Sequence, residues 1–197
     1  MQAPKLVILG RDGILNRFRE DHVKDPSEWD AIPGALEAVA RLNHSGWHVV
    51  VATNQAGIGR GMIDMASVNT VHQHMNKLLM AKGGRFDAVF FCPHTPEDQC
   101  DCRKPLPGMM KDIVRRYGVE AASVPMVADT LRDLQAALAA GCQPHLVRTG
   151  RAQNLGDDEL AQWLQAVPET LVHADLAAFA EHLMRRDAVV KAGAQSL

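Results

Sequence analysis

The sequence predicts an α/β fold built on a doubly wound, mostly parallel sheet. Short apolar runs alternate with amphipathic stretches, and the first run, KLVIL at residues 5–9, is continuous, as expected of a strand buried on both faces. Such alternation places the strands in parallel, with ligands bound beyond their carboxyl ends. A length of 197 residues and a hydrophobic content of 47% suit one domain. We assign this domain to residues 1–190 and expect a frayed tail at 191–197.

The remaining elements follow from the spacing of apolar residues and from glycine and proline at the boundaries. The first helix begins after Pro33 and Gly34, has apolar residues at helical spacing, and stops at Gly46. By the same criteria we predict further strands at residues 47–54, 87–91, 124–127 and 145–147, and further helices at 65–81, after Pro107, at 131–140 and at 175–186. Residues 152–169 are expected to form a loop that contains a helix.

Composition and charge exclude several classes of function. The formal net charge is -2, so neither a nucleic acid nor an anionic membrane is expected as a partner, and any anion site must be local. The apolar run near the N-terminus is too short to span a membrane and lacks the features of a signal peptide. We therefore expect a cytoplasmic monomer that acts on a small molecule.

Polar side chains stand at the ends of the predicted strands and at the starts of the helices that follow them. They are Arg11, Asp12, Thr53, Asn54, Gln55, Arg103, Lys104, Asp129 and Asp133. Taken singly, each has an ordinary structural explanation, because Asp and Thr commonly cap helices and Arg-Lys pairs are commonly solvated. As an ordered set they are typical of a Mg²⁺-dependent phosphate site, in which a metal and fixed donors balance the charge of the phosphate oxygens.

Four segments carry a resemblance to a known superfamily. LGRDGILNR, VVVATNQAGIGRG, CRKPLPGM and VADTLRDLQAALAAG resemble the four signature segments of the haloacid dehalogenase superfamily, over roughly residues 5–150. Within it the sequence is most similar to the D-glycero-D-manno-heptose 1,7-bisphosphate 7-phosphatases, with the histidinol-phosphate phosphatases as close relatives. The resemblance implies a Rossmann-like fold with a minimal cap. It also implies removal of the 7-phosphate of that sugar through a covalent aspartyl-phosphate, with Mg²⁺ bound.

The resemblance also implies roles for individual residues. Asp12 matches the general acid and base, and its backbone carbonyl is expected on Mg²⁺ together with the carboxylate of Asp129. Thr53 and Lys104 match the residues that hold the transferring phosphoryl group, and Asp133 is expected to support the metal site. Arg103 is expected to contact the second phosphate, and residues 18–21 are a further candidate for substrate contact. The residues expected to bind substrate are Asn54, Gln55, Arg60, Arg103 and Thr130.

Position 10 departs from the superfamily pattern. The first motif of the superfamily is Asp-x-Asp-Gly, and its first aspartate attacks phosphorus and ligates Mg²⁺, whereas this chain reads Gly10, Arg11, Asp12, Gly13. Glycine offers neither a nucleophile nor a metal ligand, so we expect hydrolysis to be severely impaired. The chain is either a variant of an ordinary phosphatase or a catalytically inactive protein that still binds sugar phosphates. Ile14, where a small hydroxylated or β-branched residue is common, is a lesser departure.

A second metal site is predicted in residues 92–102. Three thiolates and one imidazole, the ligand set of a closed tetrahedral zinc site, are supplied by Cys92, His94, Cys100 and Cys102. Four protein ligands leave no position open for water, so the zinc is expected to be structural. It is expected to order the segment that presents Arg103 and Lys104 to the phosphate site. The alternative is an exposed loop histidine beside cysteines that are merely buried.

Overall fold

The computed structural model of the chain describes residues 3–194, and the side chains of residues 3–190. Six strands lie in this part of the chain: β1 (Lys5–Leu9), β2 (Trp47–Asn54), β3 (Ala88–Cys92), β4 (Pro125–Ala128), β5 (Gln143–Val147) and β6 (Leu171–His173). They form one sheet in the order β3-β2-β1-β4-β5-β6, and all neighbouring strands are parallel. This is the strand order of a doubly wound, Rossmann-like fold.

The described residues also form seven α-helices. They are α1 (Ala35–His44), α2 (Ala56–Gly59), α3 (Met65–Met80), α4 (Gly108–Tyr117), α5 (Leu131–Ala140), α6 (Asp157–Ala166) and α7 (Leu176–Ala194). The side chains of Asp64 and Thr130 cap the N-termini of α3 and α5. Gly118 and Gly141 end α4 and α5 in the left-handed conformation. None of the described helices combines the length and apolar content that a membrane crossing requires.

Helices cover both faces of the sheet. In β1, Val7 and Leu9 face a core shared with α1, α3 and α7, while Leu6 and Ile8 face a second core shared with α4 and α5. All four side chains are at most 2% exposed. Burial on both faces explains why the strand is a continuous apolar run rather than an alternating one.

The structure confirms the predicted alternation of strands and helices and adds two elements. Strand β6 was not predicted because it has only three residues, two of them exposed, and helix α2 because it is a four-residue turn with the sequence AGIG. The last helix continues beyond its predicted end to Ala194, so the predicted frayed tail is helical over residues 191–194. The rest of that tail, residues 195–197, lies outside the described residues.

The topology fixes where a ligand can enter. Strand β1 lies between β2 and β4, and the chain first builds the sheet on one side of β1 and then on the other. The segments that leave the carboxyl ends of β1 and β4 therefore run in opposite directions, and a crevice opens between them.

Candidate active site

A polar cavity of about 230 Å³ lies at the carboxyl ends of β1, β2 and β4. Seven cationic side chains line it: Arg11, Arg19, Arg60, Arg103, Lys104, Arg132 and Arg151. Four carboxylates line it as well: Asp12, Glu20, Asp129 and Asp133. The excess of positive charge suits an anionic ligand. It is a local feature, because the whole chain carries a formal net charge of -2.

Asp12 lies in the loop after β1, where three side chains donate hydrogen bonds to its carboxylate. Oδ1 accepts from Nη2 of Arg11 at 2.9 Å and from Nδ2 of Asn16 at 3.0 Å. Oδ2 accepts from Nε2 of Gln55 at 3.3 Å. Burial raises the pKa of Asp12, but the charge of Arg11 and these hydrogen bonds outweigh burial and hold the pKa below its ordinary value. Asp12 is therefore ionised at neutral pH.

Arg11 is buried behind Asp12 and joins it to helix α3. Its Nη1 lies 3.2 Å from Nε2 of His72. Burial, together with the positive charge of Arg11, lowers the pKa of His72 to about 4, so the neutral ring accepts the hydrogen bond at Nε2. His72 was assigned to no site from the sequence, because a single histidine on a helix gives no motif. It fixes the guanidinium that in turn orients Asp12.

The end of β2 supplies three polar residues with different surroundings. Thr53 and Asn54 line the cavity, whereas Gln55 lies behind it. The Gln55 amide donates to Oγ1 of Thr53 at 3.0 Å as well as to Asp12. The Asn54 amide pairs with the backbone of Lys104, donating to its carbonyl at 3.1 Å and accepting from its N–H at 3.2 Å. Both amides thus hold neighbouring site residues, and their contact with substrate stays a prediction.

Lys104 and Asp133 form a buried ion pair at the base of the cavity. Nζ of Lys104 lies 2.7 Å from Oδ2 of Asp133, and the side chains are 3% and 7% exposed. Nζ also donates to the carbonyl of Ala52 at 3.0 Å. Burial raises the pKa of Asp133, but the charge and hydrogen bond of Lys104 outweigh it and lower the pKa. An ammonium has three donors, so one remains for an anion in the cavity.

Asp129 follows β4 and is buried against two loops. Its Oδ2 accepts a hydrogen bond from the backbone N–H of Arg151 at 3.0 Å. Gly13, at φ +82°, packs against the same carboxylate so closely that no Cβ would fit. Burial, with the nearby charge of Asp133, raises the pKa of Asp129 to about 6, against the effect of the Arg151 hydrogen bond.

These oxygens fit a Mg²⁺ ion. The carboxylate of Asp129 and the backbone carbonyl of Asp12 are hard ligands at one end of the sheet, and Oδ1 of Asp133 is buried without a hydrogen-bond partner. Mg²⁺ in proteins takes one or two carboxylates and completes its shell with water and substrate phosphate. A divalent cation also stabilises the ionised form of Asp129. Gly10 contributes no side-chain oxygen, so the set has one carboxylate fewer than the superfamily motif provides.

Gly10 lies directly after β1 and donates its N–H to the carbonyl of Val127 at 3.1 Å. A Cβ built on Gly10 would lie 2.7 Å from Cδ1 of Ile14. Ile14 is fully buried, with 1% of its surface exposed. The two departures from the superfamily pattern are four residues apart, and any side chain at position 10 would meet Ile14.

Three other residues predicted to bind substrate differ in their positions. Arg60 and Arg103 line the cavity. Thr130 lies outside the cavity wall, and its Oγ1 accepts a hydrogen bond from the backbone N–H of Asp133 as the cap of α5. The contact of all three with substrate stays a prediction.

Two cationic residues of the cavity could not be found from the sequence. Arg151 stacks on the ring of Phe18, with its guanidinium carbon 3.6 Å from the ring centroid, and Arg132 also lines the cavity. They stand in segments without a shared motif, so only the tertiary fold brings them together. Arg19 lines the cavity as well and belongs, with Phe18, to the segment 18–21 that the sequence marks as a candidate for substrate contact, and that contact stays a prediction.

The four predicted zinc ligands converge. They are Cys92, His94, Cys100 and Cys102. Adjacent sulfur and nitrogen atoms lie 3.3 to 3.6 Å apart, and ligands of a tetrahedral zinc are roughly 3.5 to 3.8 Å apart. Burial and the neighbouring thiols raise the pKa of Cys102 to about 12, an effect that a divalent cation reverses. The cluster can therefore hold zinc, with no ligand position open to water.

The zinc loop, residues 92–102, is connected by hydrogen bonds to two segments that line the cavity. Nη1 of Arg103 donates to the carbonyl of His94 at 3.2 Å. On the other side, the backbone N–H of Gly59 donates to the carbonyl of Pro93 at 2.9 Å, which joins the loop to α2. The conformation of the zinc loop thus influences the position of the Arg103 side chain at the cavity.

Models of two protein families match the chain. A model described as HAD-hydrolase-like matches residues 101–179, and the model of the polynucleotide kinase 3 phosphatase matches residues 12–129. Together the matches include all the cavity residues from Asp12 onward. One model is described as hydrolase-like and the other as a phosphatase, in agreement with the geometry of the cavity.

Individual relatives match nearly the whole chain. The D-glycero-β-D-manno-heptose-1,7-bisphosphate 7-phosphatase of Bordetella bronchiseptica is 53% identical over 92% of this chain and 98% of its own length. The protein of the same name from Pseudomonas aeruginosa is 44% identical over 91% of this chain and 98% of its own length.

Solved structures agree. The B. bronchiseptica D,D-heptose 1,7-bisphosphate phosphatase, complexed with magnesium and phosphate, has a TM-score of 0.86 at 52% identity, covering 92% of this chain and 99% of its own. The Burkholderia thailandensis D,D-heptose 1,7-bisphosphate phosphatase has a TM-score of 0.70 at 48% identity, covering 91% and 98%. The chain belongs to the D-glycero-β-D-manno-heptose-1,7-bisphosphate 7-phosphatase family of the haloacid dehalogenase superfamily.

Proposed function

We propose that this chain is a sugar-phosphate phosphatase whose cavity accepts D-glycero-β-D-manno-heptose 1,7-bisphosphate, and that Gly10 lowers its rate of hydrolysis by orders of magnitude. The observation that carries the proposal is the meeting of Asp12, Thr53, Lys104 and Asp129 in one cationic cavity. Relatives that bear this activity in their names match more than nine tenths of the chain. The family assignment and the cavity chemistry therefore support the same substrate.

The 7-phosphate is proposed to lie between the hydroxyl of Thr53 and the ammonium of Lys104. Thr53 is held by Gln55, and Lys104 by Asp133, so both donors are positioned before the ligand arrives. Mg²⁺, held by Asp129 and the backbone carbonyl of Asp12, supplies positive charge that offsets the phosphoryl oxygens.

Asp12 is proposed to move the proton. Its carboxylate is ionised at neutral pH because Arg11, Asn16 and Gln55 all donate hydrogen bonds to it. As an acid it gives a proton to the departing sugar oxygen, and in its ionised form it then accepts a proton from the attacking water. The contact between Arg11 and His72 fixes the carboxylate in place for both steps.

The covalent step is the one that this chain lacks. An aspartyl-phosphate requires a carboxylate oxygen at position 10, and glycine provides none. The donors and cations that bind the phosphate remain, so affinity for the sugar phosphate is retained. Enzymes that lose a covalent nucleophile keep only the acceleration that binding and electrostatic stabilisation supply.

Calorimetric titration with the heptose 1,7-bisphosphate in the presence of Mg²⁺ tests the assignment of the cavity. We expect saturable binding that Lys104→Met weakens at least tenfold, because the charge opposite the phosphate is lost. Lys111→Met, on the exposed face of α4, is the matched control and should leave the affinity unchanged. Histidinol phosphate serves as competitor. Absence of binding to the folded chain, or preferential binding of histidinol phosphate, would contradict the proposed substrate.

The cellular setting is also proposed rather than tested. We place the chain in the cytoplasm as a monomer, without nucleic-acid or membrane partners. The free cysteines of the zinc loop suit a reducing compartment. Sedimentation analysis at several protein concentrations would reveal any self-association.

A further inference from the structure

We propose that Gly10 and Ile14 are a packing pair: Cδ1 of Ile14 occupies the volume that any side chain at position 10 requires, so a nucleophile cannot be restored by changing Gly10 alone. Ile14 then determines whether the site can hold a nucleophile. The steric part of this inference is independent of the substrate, and its catalytic consequence rests on the function proposed above.

The conflict involves one atom. A Cβ on Gly10 would lie 2.7 Å from Cδ1 of Ile14, closer than carbon atoms approach in packed proteins. The next nearest atoms, Cγ1 of Ile14 and the carbonyl oxygen of Val127, would both lie 3.7 Å away, at ordinary contact distance. Removal of Cδ1 alone therefore makes room for a Cβ at position 10.

The backbone at position 10 does not itself demand glycine. Gly10 is absent from the residues with positive φ, unlike Gly13, which has φ +82°. Its N–H donates to the carbonyl of Val127 at 3.1 Å, as a residue with a side chain could also do. The obstacle to a side chain is thus the neighbouring isoleucine and not the main chain.

Ile14 has little freedom to move aside. It is 1% exposed and belongs to an apolar cluster that includes Leu9, Val127 and Val147, each fully buried. Its backbone is held in a tight loop, in which the N–H of Leu15 donates to the carbonyl of Arg11 at 2.8 Å. β-branching holds χ1 of Ile14, so Cδ1 can move aside by rotation about χ2, and in a closely packed core that rotation needs space on another side.

The pair predicts that one substitution has opposite effects in two backgrounds. Ile14→Val removes Cδ1. In the unaltered chain it leaves a small cavity and destabilises the fold. In a chain that carries Gly10→Ala, the same change relieves the overlap with the new Cβ. Alanine adds no charge, so this background isolates the steric effect.

Thermal unfolding of four proteins tests the pair: the unaltered chain, Gly10→Ala, Ile14→Val and the double variant. We expect Ile14→Val to lower the Tm by about 2 to 4 °C in the unaltered chain and to raise it in the Gly10→Ala background. Replacing glycine has its own effect on the Tm, and this effect cancels when the two backgrounds are compared in a double-mutant cycle. The difference that remains measures the interaction between the side chains at positions 10 and 14. Equal lowering of the Tm by Ile14→Val in both backgrounds would overturn the proposal.

Phosphate release from the heptose 1,7-bisphosphate tests the catalytic consequence. We expect the double variant Gly10→Asp with Ile14→Val to exceed the single variant Gly10→Asp at least tenfold in kcat. A single variant as active as the double variant would overturn the proposal. The unfolding cycle needs no substrate, so it can succeed or fail independently of the substrate assigned to the cavity.

Discussion

At the scale of single residues, the charge of the cavity depends on the buried pair of Lys104 and Asp133. Both side chains are almost completely buried, and Nζ of Lys104 also donates to the carbonyl of Ala52, while Oδ1 of Asp133 lies 3.5 Å from Nε of Arg132. A buried ion of either sign is costly when its partner is missing. The pair therefore positions the Lys104 ammonium that is proposed to bind phosphate, and the stability of the fold depends on it.

Lys104→Met removes the closer of two cations beside the buried carboxylate of Asp133 and leaves Nε of Arg132, 3.5 Å from Oδ1. We expect the free energy of unfolding at pH 7 to fall by about 3 kcal/mol. The loss should shrink as the pH falls, because protonation removes the poorly compensated charge of Asp133. Urea denaturation at pH 7 and pH 5 measures both effects, and Lys111→Met is the control. A loss that does not depend on pH would show that the pair does not govern the stability of this site.

The residues of the site that could be predicted from the sequence are those with a fixed place at a strand end. Asp12, Thr53, Lys104 and Asp129 were predicted in this way, and all four line the cavity. His72 and Arg151 could not be predicted, because each reaches the site through packing of distant segments. The conflict between Ile14 and a side chain at position 10 could not be predicted for a different reason. The sequence shows that both residues depart from the superfamily pattern, but it does not show that a side chain at position 10 would overlap Ile14 in space.

At the scale of elements, the zinc loop connects a metal to a substrate-facing arginine. The hydrogen bond from Arg103 to the carbonyl of His94 links Arg103 to the ligand set, and the three cysteines of the loop are free thiols. The loop is short and has no apolar core of its own, so we expect its conformation to depend on the bonds from its four ligands to the metal. Loss of the metal should therefore release the loop.

Zinc removal should weaken sugar-phosphate binding without unfolding the sheet. We expect about one zinc per chain by metal analysis, and we expect Cys100→Ser or a chelator to reduce affinity for the heptose 1,7-bisphosphate several-fold by displacing Arg103. Cys142→Ala, which changes a buried cysteine outside the ligand group, should retain both metal and affinity. Full affinity in a zinc-free protein would refute the connection.

A second element-scale feature is the histidine pair at the β5–β6 edge of the sheet. Nδ1 of His145 lies 3.0 Å from Nε2 of His173, and His182 and Arg186 of α7 face them. Burial, with the positive charges of these neighbours, lowers the pKa of His145 to about 3. Burial likewise lowers the pKa of His173 to about 4.

This pair should make the protein sensitive to acid. The unfolded chain takes up protons near pH 6.5, whereas the folded chain takes them up only near pH 3 to 4. Stability is therefore lost as the pH falls from about 6.5 towards 4, by on the order of 2 kcal/mol at pH 5 from His145 and by less from the half-buried His173. His145→Gln should flatten the pH dependence of the free energy of unfolding, and His44→Gln, on the exposed side of α1, should not. Parallel profiles would contradict this explanation.

Elements were predictable where apolar residues repeat over a long enough stretch. Helix α5 has its predicted bounds of 131–140, since Thr130 caps it and Gly141 ends it. Strand β6 has too few buried residues to be recognised and is defined by pairing with β5. Its existence depends on a tertiary contact, which a local pattern does not contain.

At the scale of the whole molecule, the sheet topology accounts for the site. Parallel strands bring segments from residues 11 to 133 to one edge, and the strand order opens a crevice beside β1. The protein has the scaffold of a phosphatase, a cationic cavity and the predicted metal ligand Asp129, but at position 10, where the superfamily motif has an aspartate, it has glycine next to the packed side chain of Ile14.

The rate of phosphate release from D-glycero-β-D-manno-heptose 1,7-bisphosphate with Mg²⁺ tests this account most directly. The comparison is between the unaltered chain and the variant that combines Gly10→Asp with Ile14→Val. We expect the variant to be faster by roughly a thousandfold or more, while both proteins bind the sugar phosphate. An unaltered chain that releases phosphate as fast as the variant would contradict the account, because some group other than a residue at position 10 would then be the nucleophile.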